Sequence, residues 1–113
     1  MSADCPDNEI HIADIGTIFR QLVTDCSTVV DISTATSLTI CFQRPDLSVE
    51  TVVATFTNVG TDGLMEYTVT TSLFLDQTDE WSWQGKIYFG AASPPQLYHT
   101  NVKTFEVFAN ICL

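Results

Sequence analysis

Positive charge is the scarcest thing in this sequence. Four Lys and Arg stand against fourteen Asp and Glu, a formal net charge of −10. Such a chain repels phosphate backbones and anionic membrane surfaces. Its four cations, Arg20, Arg44, Lys86 and Lys103, are too dispersed along the sequence to make the basic patch that nucleic-acid binding needs. Long apolar runs are missing too; none approaches the roughly 18 to 20 residues of a membrane helix. The first residues, MSADCPDNEIHIADIG, are acidic and polar, the reverse of a secretory leader, which predicts synthesis and first folding in a cytosol.

Glycine is sparse and scattered, five residues in all, with no arrangement that could cradle a phosphate. The four cysteines (Cys5, Cys26, Cys41, Cys112) form no C-x-x-C pair and are not spaced with the two histidines as zinc ligands. Cytosolic synthesis makes free thiols the default. If the segments holding Cys26 and Cys41 paired antiparallel, Cys41 would fall opposite about Arg20, far from Cys26, so a Cys5–Cys112 link between the termini is the better-placed bridge.

Catalytic groups are equally thin. His11 and His99 are the two candidate bases, one in the acidic leading segment and one on a predicted strand, and no nucleophile elbow accompanies either. Asp76, Asp79 and Glu80 cluster, but in a predicted turn, where carboxylates ordinarily face water. The TDG at 61–63 is one acid and a glycine, short of the alternating ligands of a calcium loop. The sequence therefore predicts no enzyme, and no catalytic, metal or cofactor-binding residue is assigned.

What the chain has is β-forming residues. There are sixteen threonines, and the apolar positions alternate with period two. An acidic adaptable tail is read over 1–14 and one domain over 15–113. Within that domain a strand is expected near 15–24, then a connection whose Val30 and Ile32 plug the core. Leu38, Ile40 and Phe42 share one face of the next strand, ahead of a turn at Pro45-Asp46. One strand follows over 49–58, then a GTDG turn and a strand with Met65, Tyr67 and Val69 facing one way. Leu73, Phe74 and Leu75 break the alternation and read as a crossover onto the core. In the last strand Val102 is out of phase with Phe105 and Val107, which predicts a bulge or change of sheet near Lys103. About seven strands separated by turns argue for an all-β, two-sheet antiparallel sandwich, immunoglobulin-like in outline, with an isolated barrel as the alternative.

The stretch EWSWQGKIYFG poses the sharpest question, since its two tryptophans fall on one side of a strand. They share that side with Ile87 and Phe89, while Ser82, Gln84, Lys86 and Tyr88 take the other. Burying one large aromatic is worth about 2 to 3 kcal/mol, so this stripe reads as core and not as a sugar platform. Trp81, nearest the strand end, is expected to be the more exposed indole. The opposite face, with Gln84, Lys86 and Tyr88 and the neighbouring Leu97, becomes the candidate partner-contact surface. An edge strand open to augmentation is a further one.

The order of IGTIFRQLVTD, VVDISTATSLTICFQRPD, TDGLMEYT, LDQTDEWSWQGKIYF and NVKTFEVFANI resembles a family of small immunoglobulin-like structural proteins of tailed bacteriophages. Its best-named relative is the amino-terminal domain of the baseplate upper protein. The resemblance spans roughly residues 15–111. It implies a virion component, present in several copies, that packs against other virion proteins and brings no catalytic, metal or cofactor residues. Within these 113 residues there is no coiled-coil or adhesin region. The resemblance therefore implies a connector or adaptor in the tail, baseplate or fibre region. A capsid decoration protein, or a displayed carbohydrate-binding module, is the alternative.

Overall fold

The computed structural model describes residues 9–111, which fold entirely as strands, turns and irregular connections. In chain order the strands are β1 (Ile10–His11), β2 (Ile18–Leu22), β3 (Thr24–Asp25), β4 (Thr28–Val29), β5 (Ser37–Gln43) and β6 (Val49–Val53). They continue as β7 (Thr55–Phe56), β8 (Leu64–Thr68), β9 (Asp79–Phe89), β10 (Gln96–His99) and β11 (Lys103–Phe108). A six-stranded sheet runs β1-β11-β9-β5-β6, with β10 also paired to β9. A three-stranded sheet runs β2-β8-β7, and β3 and β4 form a separate hairpin.

The large sheet is organised by β9. Its burial alternates strictly from Trp81 to Ile87, because those residues face the second sheet while Ser82, Gln84, Lys86 and Tyr88 do not. β5 alternates the same way, with Leu38, Ile40 and Phe42 buried. Phe42 is the hub of the core. Its ring lies 5.0 Å from Phe19 of β2, 5.0 Å from Phe74 of the crossover and 6.1 Å from Trp83, so side chains of both sheets meet on it. Phe74 and Leu75 are buried while Leu73 is exposed, so the expected crossover contributes two of its three apolar residues. Ile32 is fully buried as the expected plug, with Val30 packed beside it.

Both tryptophans belong to this core, but Trp81 is 0% exposed and Trp83 7%, the reverse of the expected order. The strand end is roofed over. Arg44 lies 5.3 Å above the Trp81 ring, tied down by Glu50 and by Asp76 at 3.1 Å, and the indole N–H donates to the Gln77 carbonyl at 3.0 Å. Desolvation works against the Arg44 charge, but the two carboxylates outweigh it and raise its pKa.

Several expectations are corrected. The span 49–58 is two strands, because the chain leaves the large sheet at Ala54 and continues as β7 in the small one. The inner side chains stay inner across the change, so period-two reading could not see it. The connection after β2 contains the β3–β4 hairpin, whose two turn residues Cys26 and Ser27 both have positive φ (50° and 72°). β2 pairs with β8, not with the strand of Cys41. Ile10 and His11, read as tail, pair with Val107 and Phe108 in parallel, so the large sheet is not wholly antiparallel. Cys26 and Cys41 are free thiols, and Cys5 and Cys112 lie outside the described residues.

The bulge near Lys103 is present. His99 pairs with Lys86 and Lys103 with Trp83, so three residues on one strand oppose two on β9. Thr100 repairs the ladder. Its hydroxyl accepts the Gly85 N–H at 2.8 Å, and its own N–H donates to the Gly85 carbonyl at 3.0 Å. Thr100→Val keeps the shape and removes the acceptor, leaving a partly buried N–H unpaired. The expected loss is about 1 to 3 kcal/mol in urea unfolding.

Candidate interaction surface

The outer face of the large sheet is built by register. On β9, Gln84, Lys86 and Tyr88 recur every second residue, which points them the same way. β10 sets Leu97 opposite Tyr88 and His99 opposite Lys86, and β5 sets Ser37 and Thr39 opposite Tyr88 and Lys86 on the other side. Lys86 and His99 are exposed, Tyr88 is 38% exposed and Leu97 48%. Three of the four sequence-derived contact residues therefore form one patch with an aromatic ring, an aliphatic group and a cation.

Gln84 is different. Its amide donates to the Thr100 carbonyl at 2.9 Å, so it braces the bulge and is only partly exposed. Beside it lies a shallow depression of about 220 Å³ lined by Cys41, Gln43, Val49, Ser82, Trp83, Gln84 and Val102. Val49, Val53 and Val102 widen the apolar part of this face, each well exposed. The sequence reading did not assign them, because the place of Val49 and Val53 on this face depends on strand order and that of Val102 on the bulge.

The face is electrically graded. At the far end of β9, Glu80 sits directly opposite Glu106, both exposed, whereas the patch around Lys86 carries the local positive charge. Like charges so placed destabilise the pair slightly. At the β5–β6 turn, the Ser48 hydroxyl and N–H donate to Asp46 at 2.6 and 2.9 Å and hold its carboxyl below the usual carboxylate range.

The residues considered for chemistry are scattered. His11 Nε2 lies 3.2 Å from Glu9 Oε1 at the β1 end, while His99 stands on the open face of β10. Asp62 caps its own turn, receiving the Leu64 N–H at 3.2 Å and the Asn58 amide at 3.0 Å, and these bonds lower its pKa. Among the described residues, no three His, Cys, Asp or Glu are grouped so as to hold a metal ion. Among the same residues there is no helix long and apolar enough to cross a membrane. Compared with known proteins, the chain matches no family model and no curated protein sequence.

Proposed function

We propose that the chain is a non-enzymatic structural protein of a tailed-bacteriophage particle, an assembly adaptor or connector in its tail, baseplate or fibre region. The observation that carries the reading is the outer face of the large sheet, where Tyr88 and Lys86 of β9 and Leu97 of β10 stand together on two hydrogen-bonded strands. An open, partly apolar sheet face suits docking against another protein better than enclosing a small molecule. The motif order described above supplies the phage context. The immunoglobulin-like sandwich belongs to the same reading, and it is supported by two sheets meeting on one aromatic core and by seven strands of four or more residues.

A carbohydrate platform on Trp81 and Trp83 is disfavoured by their burial. The test is composition of purified particles. The protein is expected at a fixed ratio to the other particle proteins. A Lys86→Glu, Leu97→Glu double variant should melt like the parent yet incorporate at least about tenfold less well, the equivalent of one lost anchor contact. Absence of the unaltered protein from particles would sink the proposal.

A further inference from the structure

Sheet edges are ordinarily guarded, by a charge in mid-strand, a proline, a bulge or brevity. Most edges here are. β2 carries Arg20 at its centre, ion-paired with Glu66, β10 follows Pro94-Pro95 and ends at the bulge, and β1 and β7 are two residues each. β6 has no such guard. It reads Val49-Glu50-Thr51-Val52-Val53, and its one charge, Glu50, lies on the inner side and is neutralised by Arg44 of the same chain.

The ladder shows which backbone groups of β6 are spoken for. Ala54 donates to the Leu38 carbonyl and Arg44 to the Ser48 carbonyl, so the even-numbered residues face β5. In an antiparallel pair these alternate, so the N–H and C=O of Val49, Thr51 and Val53 point away from the sheet. Among the described residues no strand pairs with that edge. The side chains of the same three residues lie on the outer face, Val49 60% and Val53 75% exposed.

We propose that the outer edge of β6 pairs antiparallel with β6 of a second copy, about a two-fold axis at Thr51. The segment is its own complement under that operation. Thr51 meets Thr51 of the other copy, and Val49 meets Val53 twice, pairings of β-branched residues that suit a sheet surface. Each Glu50 arrives already neutralised, so no unpaired charge is brought to the seam. The contact joins two six-stranded sheets into one continuous sheet and leaves the Tyr88–Leu97 patch open on both copies.

Five residues of edge bury well below the roughly 800 Å² per partner of a standard interface. The expected dimer is weak, with Kd on the order of 10–100 μM. Two bodies of charge −10 repel, so association should tighten as added salt screens them. The inference rests on the edge geometry alone and is independent of the virion reading.

Sedimentation of the full chain over a concentration series, with amide exchange followed in parallel, tests it. Reversible dimerisation is expected, with concentration-dependent protection of the Val49, Thr51 and Val53 amides. Val53→Lys should weaken the dimer at least about tenfold, as one lost pair of contacts on each side of the axis predicts. Adding Val49→Glu should restore it by setting Glu opposite Lys on both sides. Thr51→Pro should abolish it while keeping the β5 ladder, since the lost N–H points outward. Both valines are exposed, so unchanged melting verifies folding. A chain that stays monomeric to about 1 mM, ten times above the expected Kd range, overturns the proposal. So does a dimer indifferent to Val53→Lys and Thr51→Pro.

Discussion

Phe42→Ala is expected to lower stability by about 3 to 5 kcal/mol, the range for deleting a fully buried aromatic. Phe42 is 0% exposed, and its ring touches Phe19, Phe74, Trp83, Tyr67 and Phe105, so both sheets and the crossover lose a common neighbour at once. The cavity cannot collapse easily, because those rings brace one another: Phe19 against Phe105 at 4.8 Å and Phe74 against Trp81 at 5.9 Å. Against a total of about 5 to 15 kcal/mol for a domain, the variant should lie close to unfolding at room temperature. Urea titration measures the loss. Tyr88→Ala, on the outer face of the adjacent strand, is the control and should change the unfolding free energy by no more than about 0.5 kcal/mol.

Gly60→Ala should be nearly as damaging for a different reason. Gly60 sits at φ +89°, and a Cβ there would lie 2.8 Å from Cε1 of Phe56 and 2.9 Å from the Cα of Ser33. The backbone conformation costs roughly 1 to 2 kcal/mol for an L-residue and the overpacking about 1 to 3 more. The Ser33 contact is with main chain, which cannot rotate away, and the Gly60 carbonyl accepts the Ile32 N–H that seats the core plug. Gly16→Ala separates the two costs. Its φ is +92° with nothing within 4 Å of the added carbon, so it should show the backbone cost alone. Equal losses at the two sites would refute the steric account of Gly60.

How much of this was legible beforehand follows from what alternation can encode. β5 and β9 each bury one face for most of their length, so their inner residues could be read directly, as could the mispaired Val102 and its bulge. Alternation carries no information on which sheet a strand joins. That is why the change at Ala54 was invisible, and why the pairing of β2 with β8 could not be read. The Cys26-Ser27 turn lacks the Asn-Gly or Asp-Gly that usually marks two left-handed residues. Trp81 was misjudged because its cover is tertiary: Arg44 comes from 37 residues away, and the crossover at Phe74 folds back over the strand end in a way that alternation does not show. At the outer face, the direction of Lys86 and Tyr88 was readable, and Leu97 joins them through register. The tether of Gln84 to Thr100 and the bare edge of β6 needed strand order.

The central claim is that the chain works through the outer face of its large sheet while the tryptophans only hold the fold. Electron cryo-microscopy of an assembled particle tests it most directly. The account predicts density for this domain with a second protein seated over Lys86, Tyr88 and Leu97. A domain that is bound in the particle but leaves that face bare to solvent would contradict it.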